Sequence, residues 1–336
     1  MSESDFTWRD DQRTIYFRVG VINDSPEIIV AHGFEDYELL TTERAMGAAP
    51  IELAEDSSCF HHVPPGPVNE VAARLFEDVG DGDLVALGGG RVIDVAKAIA
   101  AVHEVRVAAL PTTLSGAEMT RIHRLPEGHD APGGLTRPEV VLADPPVMTT
   151  LPEQRLRASA MNALGHAADS LCTPLSNPAS ELIALRGAAL IAKSLDAKPD
   201  ERDPAALALG SIFAGYAIDS AMFALHHVVC QTLVRTLRIP HAETNATMLP
   251  HTMEAMRQRC GKQMTALARA LGTKQAGLFD RLVELGGGPR RLKDLGDADR
   301  RQLGEAVKAI MARPELQMTP EPPDEGEIRA LIERAW

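Results

Sequence analysis

The chain has 336 residues, 45% hydrophobic and 24% charged, which is enough apolar material for a large core in two or three ordinary domains. Its net charge of -13 sets it against phosphate backbones, so nucleic acid is excluded as a partner. No apolar run reaches the roughly 20 residues that span a bilayer.

The N-terminus, residues 1–11, is polar and acidic, with no basic segment leading into an apolar one, so no signal peptide is expected. The first half then alternates strand and helix patterns. Glu27 to Val30 and Tyr37 to Thr41 read as strands. Val68 to Val79 carries apolar residues at helical spacing. Asp83 to Leu87 reads as a short strand ending in Gly88, Gly89 and Gly90, and a helix follows from Val92 to Val102. Another β-rich run, Val105 to Leu110, closes at Pro111. Strand, helix, strand with tight turns predicts a parallel sheet with crossover helices.

From about Leu151 onward the patterns are helical: Ala158 to Leu171, Ala179 to Leu195, Pro204 to Thr236 as two helices, and Ala242 to Met256. The expected organisation is an α/β Rossmann-like domain over residues 1–146 and an all-α domain over residues 147–336. The cysteines, Cys59, Cys172, Cys230 and Cys260, form no C-x-x-C pair and no disulfide framework, which suits reduced thiols in a cytoplasmic protein.

Two turns carry chemistry. Gly88-Gly89-Gly90 lies between a strand and a helix start, where free N–H groups and the positive dipole end suit a pyrophosphate. The spacing differs from the usual dinucleotide fingerprint. The next turn, Thr112-Thr113-Leu114-Ser115, offers three hydroxyls for ribose, phosphate or carboxamide contacts. Simple turn chemistry is the alternative reading of both.

In the helical half, Asn162 and His166 are four apart and share a helix face. His226 and His227 lie late in a helical stretch, and His241 follows Pro240 at a helix start. A single histidine on an apolar helix is usually a satisfied core residue. Histidines on separate helices that converge can hold a first-row metal or act as proton donors.

Together these segments resemble the iron-containing alcohol dehydrogenase superfamily, nearest to its maleylacetate reductase branch. Gly88-Gly89-Gly90-x-x-x-Asp94-x-x-Lys97 is similar to the family's cofactor motif, with Arg91 in place of a serine. Residues 111–120 (PTTLSGAEMT), 161–167 (MNALGHA), 225–230 (LHHVVC) and 239–246 (IPHAETNA) resemble further family segments, in the family's order. The resemblance implies a dinucleotide-binding domain and a helical domain, usually in a homodimer. It implies that Thr42, Gly88, Gly89, Gly90, Asp94, Lys97, Thr112, Thr113 and Ser115 bind NAD or NADP. Asn162, His166, His227 and His241 stand where metal-binding members hold Fe²⁺ or Zn²⁺, and His166, His227 and His241 are the implied catalytic residues.

Departures matter as much. Asn162 replaces the aspartate of the alcohol dehydrogenases, so a dication loses its anionic ligand, and a metal-free site is equally open. Gln231 stands where the family has a further histidine and cannot shuttle a proton near neutrality. Val234 and Arg235 replace glycines. Thr42 replaces the aspartate that repels a 2′-phosphate, so NADH and NADPH both remain open. The expected function is hydride transfer to a small, carboxylated carbonyl or enone substrate, with Arg121, Arg124, Arg137 and Arg235 as candidate carboxylate contacts. Three alternatives are a metal-dependent alcohol dehydrogenase, a dehydroquinate-synthase-like enzyme that recycles its NAD, and a nucleotide-binding protein without turnover.

Overall fold

The computed structural model describes the backbone of residues 6–10 and the whole of residues 13–336. The chain divides into two compact units, Met1–Leu151 and Pro152–Trp336.

The first unit is built on a seven-stranded sheet. Its strands are β1 (Phe6–Asp10), β2 (Arg13–Phe17), β3 (Glu38–Thr41), β4 (Cys59–His62), β5 (Leu84–Gly88), β6 (Val107–Pro111) and β7 (Val140–Ala143). They lie in the order β1-β2-β7-β6-β5-β3-β4. Only β1 and β2 pair antiparallel, and every other neighbouring pair is parallel. Both sheet faces are covered, which is why β5 and β6 read as unbroken apolar runs. Leu84 and Ala86 pack with Val71, Ile93 and Ile99 on one face. Val85 and Leu87 pack with Ile29, Tyr37 and Leu53 on the other.

The strand expected at Glu27 to Val30 is instead the end of a helix, Ser25–Ala31. Pro26 sits in its first turn, where a missing N–H costs nothing and the fixed φ favours helix. Only Ile29 of the apolar triplet is fully buried, while Val30 is 46% exposed, so the run has one inward face rather than a strand's two. The strand Val140–Ala143 and the polar edge strand Cys59–His62 were not anticipated in the sequence.

The second unit is helical. Its main helices are Glu153–Ser170, Pro178–Asp196, Pro204–Ala221, Leu225–Leu237, His241–Arg259, Gly261–Ala270, Leu278–Leu285, Leu303–Met311 and Glu325–Ala335. The expected pair within 204–236 breaks at Met222, which adopts φ 61, a strained value for a residue with a side chain. No single helix among the described residues is long and apolar enough to cross a membrane. Cys59, Cys172, Cys230 and Cys260 are all free thiols.

Candidate functional site

The first unit brings its two chemical turns together at the carboxyl ends of β5 and β6. Gly88 pairs with Pro111, and the Thr112 amide donates to the Gly88 carbonyl at 2.9 Å. None of Gly88, Gly89 and Gly90 has positive φ. What the turn needs is the absence of a side chain. A Cβ on Gly88 would lie 2.7 Å from Val92, one on Gly89 3.0 Å from Thr113, and one on Gly90 2.8 Å from the Ser115 Cβ. The glycines therefore let the hydroxyl turn close onto the strand-to-helix turn. No side chain caps the start of the helix Gly90–His103, which leaves its first amides available.

The remaining first-unit candidates fall into two groups. Thr113 and Ser115 pack on this turn and Thr112 is bonded into it, while Asp94 lies one turn into the helix, part-exposed. Thr42 is one residue past β3, where its hydroxyl accepts the Ala45 amide at 3.3 Å and caps a short helix. Lys97 requires a correction. It is fully buried, its Nζ donates to the carbonyls of Ala117 (2.9 Å) and Thr120 (2.8 Å), and it pairs with Asp94 at 2.8 Å. With a further bond to the Ile122 carbonyl at 3.3 Å, its three N–H groups are committed within the chain. Lys97 instead fastens the segment that follows the hydroxyl turn.

That segment holds a residue passed over as a site in the sequence. Glu118 is fully buried, and neither carboxyl oxygen has a hydrogen-bond partner. Burial pushes the carboxyl up to about 7, against the pull of its own backbone amide and of Lys97. Because the folded state holds this proton more tightly, the stabilisation is complete below the ordinary value of 4.5 and is lost as pH rises through about 7. The difference corresponds to about 3 kcal/mol. Urea unfolding between about pH 5 and pH 8 should therefore show the wild-type losing most of that amount relative to Glu118→Gln. Parallel pH profiles for the two proteins would refute this.

In the second unit, the helices Glu153–Ser170, Leu225–Leu237 and His241–Arg259 pack pairwise on one another. Asn162, His166 and His227 are buried, and His241 is exposed at the first position of its helix. The rings of His166 and His227 lie 4.9 Å apart. Gly165 makes room for the His226 ring between the helices, since a Cβ there would meet His226 Nε2 at 2.6 Å. His226 itself turns aside and bonds Thr252 at 2.9 Å. It belongs to the core.

Asp169, seven residues after Asn162, organises the cluster. Its carboxylate accepts the backbone amides of Ala224 (2.9 Å), His226 (3.2 Å) and His227 (3.1 Å), and the His227 Nδ1 at 3.0 Å. It thereby stabilises the N-terminus of the Leu225–Leu237 helix and the break before it. Burial raises the Asp169 carboxyl, but four donors converging on it favour the ionised form, in which His227 carries its proton on Nδ1 and a lone pair on Nε2. Burial, helped by His241, pushes His227 down to about 3, so the ring is uncharged near neutrality. Its Nε2 is buried without a hydrogen-bond partner.

His241 Nε2 lies 3.2 Å from the Asn245 amide, one turn along its helix. Gln231, one turn after His227, accepts from Arg313 at 3.1 Å, and the Arg313 charge is neutralised by Glu315. No sequence pattern pointed to Arg313. Arg121, Arg124 and Arg235 are exposed and Arg137 is half-buried. A metal would suit the lone pair of His227, whose other nitrogen is held by a carboxylate in the way metal-ligating histidines usually are. Among the described residues, however, His166, His227 and His241 do not bring their ligand atoms within 4.8 Å of one another.

The chain is similar to known proteins over most of its length. Residues 12–145 match the iron-containing alcohol dehydrogenase family, and residues 157–336 match its C-terminal part. The maleylacetate reductase of Burkholderia cepacia is 33% identical over 307 residues, covering 87% of this chain and 80% of that protein. The crystal structure of maleylacetate reductase from Rhizobium sp. strain MTP-10005 superposes with TM-score 0.83 at 27% identity, covering 100% of this chain and 99% of that one. The maleylacetate reductase structure from Agrobacterium tumefaciens gives 0.81 at 28% identity, covering 99% and 98%.

Proposed function

Because the chain belongs to the iron-containing alcohol dehydrogenase family, as an NAD(P)-dependent oxidoreductase resembling maleylacetate reductase, we propose that it reduces a small carboxylated enone or carbonyl compound, maleylacetate first among them. The observations that carry this reading are a glycine turn closed by hydroxyls in one unit and, within the other, an Asp169-oriented histidine cluster. Gly88, Gly89 and Gly90 bring free amides to the pyrophosphate, and Thr112, Thr113, Ser115 and Asp94 line the rest of the dinucleotide. When bound, a reduced nicotinamide would supply the hydride, and the residues of this chain would then have to stabilise negative charge on the substrate oxygen. His166 and His241 supply N–H groups to that oxygen. His241, exposed at its helix start, is the proton donor. His227, uncharged, offers Nε2 as the acceptor that positions a hydroxyl or water. Testing the carboxylate requirement is direct: the free acid should be turned over with kcat/KM at least tenfold above its methyl ester, and equal values would remove the carboxylate from the reading.

Thr42 carries no negative charge to repel a 2′-phosphate, so NADH and NADPH should both serve. Thr42→Asp should raise KM for NADPH about tenfold or more with little change for NADH. An unchanged preference would mean that the adenosine ribose lies elsewhere.

When bound, a divalent metal supplies Lewis-acid polarisation of the substrate oxygen. His166, His227, His241 and the Asn162 amide oxygen would hold it. Without an anionic ligand that hold is weak, and the residues above serve the reaction on their own. Asn162→Asp should strengthen Zn²⁺ or Fe²⁺ binding about 10–100-fold. Metal content after purification, with chelator competition, checks this. Equal affinities would show that position 162 is not a ligand. We further infer a cytoplasmic homodimer, on the strength of the family resemblance.

A further inference from the structure

A second constellation of ligand-type side chains lies at the opposite end of the sheet from the glycine turn. Glu38 opens β3, and its register partner on β4 is Cys59. His61 is two residues further along β4, so Cys59 and His61 project from the same face of that strand. Glu38 also aligns with Leu84 at the start of β5, whereas Gly88 ends that strand. The two places are therefore about 13 Å apart along the sheet.

The side chains converge. His61 Nε2 lies 2.5 Å from Glu38 Oε2, and one ligand atom from each of Glu38, Cys59 and His61 falls within 4.8 Å of the other two. Glu38 and His61 are both buried, and their contact with each other offsets the cost of that burial. The other carboxylate oxygen is fixed by the Gly80 amide at 2.8 Å, so Glu38 is already aimed. A Cβ at Gly80 would lie 2.6 Å from that oxygen, so glycine lets the carboxylate reach the backbone in this position. Cys59 is the exposed member and leaves one side of the group open to water.

We propose that Glu38, Cys59 and His61 form a zinc site that clips the edge strand β4 to β3. A thiolate, an imidazole and a carboxylate make a borderline-soft donor set that selects Zn²⁺ over Mg²⁺ or Ca²⁺. Tetrahedral zinc has bonds of about 2.0–2.3 Å and holds its ligand atoms roughly 3.5 Å apart. The ion takes the place of the proton shared by His61 and Glu38, and the two atoms part by about 1 Å. His61 binds as the neutral imidazole through Nε2 with its proton on Nδ1, the Cys59 thiol proton is released, and water completes the fourth position from the exposed side.

The test is titration of the reduced, chelator-stripped full chain with Co²⁺, followed by displacement with Zn²⁺. Cobalt bound to a thiolate gives a near-ultraviolet charge-transfer band that histidine and carboxylate ligands do not. The expected result is a band saturating at one Co²⁺ per chain, unchanged in Cys230→Ala and absent in Cys59→Ala. Competition with a chromophoric chelator should show at least a hundredfold weaker Zn²⁺ binding at this site in Cys59→Ala, measured in a His227→Ala background so that the histidine cluster does not contribute. Because Cys59 is exposed, its replacement leaves the core untouched, and circular dichroism of each variant verifies the fold. Absence of the band in the wild-type chain, or its survival in Cys59→Ala, would overturn the site.

Discussion

Replacing Asp169 with asparagine should lower kcat by about a thousandfold and cost about 3–5 kcal/mol of stability. The carboxylate accepts hydrogen bonds from the amides of Ala224, His226 and His227 and from His227 Nδ1. Asparagine offers one oxygen and turns an NH₂ group toward donors, so buried N–H groups lose partners. The helix Leu225–Leu237 loses its anionic cap, and His227 loses the bond that fixes its tautomer. The two consequences separate experimentally. Thermal melts read the first, and kcat measured well below the variant's melting temperature reads the second. NADH binding, followed by fluorescence, should remain within a few-fold of wild-type, because Asp169 belongs to the unit without the glycine turn. Wild-type kcat in a folded Asp169→Asn variant would remove His227 from the reaction.

Gly90→Val should have the opposite signature: cofactor binding weakened at least about a hundredfold, with the melting temperature only modestly changed. A Cβ at this position would stand 2.8 Å from the Ser115 Cβ, an atom tied directly to the backbone, so the turn itself must move. That separates the hydroxyl turn from the helix start and withdraws the amides offered to the pyrophosphate. Valine places its branches in the same gap and adds to the displacement. Fluorescence titration with NADH and NADPH measures the effect. Affinity within a few-fold of wild-type for both would place the pyrophosphate elsewhere.

The two variants probe features of unequal visibility in the sequence. Gly88 to Gly90 between a strand and a helix was legible because its backbone role is written in three consecutive residues. Its reason was not, since the glycines serve close packing against Val92, Thr113 and Ser115 rather than left-handed φ. The three histidine-bearing helices were also legible from their 3.6-residue periodicity, and the structure packs them together. Asp169 was overlooked, although Asn162, His166 and Asp169 stand at i, i+4 and i+7 on one helix face. An acid near a helix end reads as solvated until its donors, 55 to 58 residues away, are known.

Other features depend on tertiary partners that no local pattern shows. Lys97 was read as a cofactor ligand from its place in a motif, but its ammonium is consumed by carbonyls 20 and 23 residues further on. Glu38 and His61 meet only because β3 and β4 pair in one particular register. The Ile28-Ile29-Val30 run shows the converse limit. A short β-branched run suggests strand, and the Pro26 start signal decides for helix.

The reading of this chain as a reductase is tested most directly by mixing it anaerobically with maleylacetate and either NADH or NADPH, and following cofactor oxidation and substrate loss together. The expected result is stoichiometric consumption, one reduced cofactor per substrate molecule, persisting after exhaustive chelation and reduced about a thousandfold in Asp169→Asn. Binding of both cofactors with no net oxidation across carboxylated enones, aldehydes and alcohols would contradict it, leaving a nucleotide-binding protein or an enzyme that recycles its cofactor.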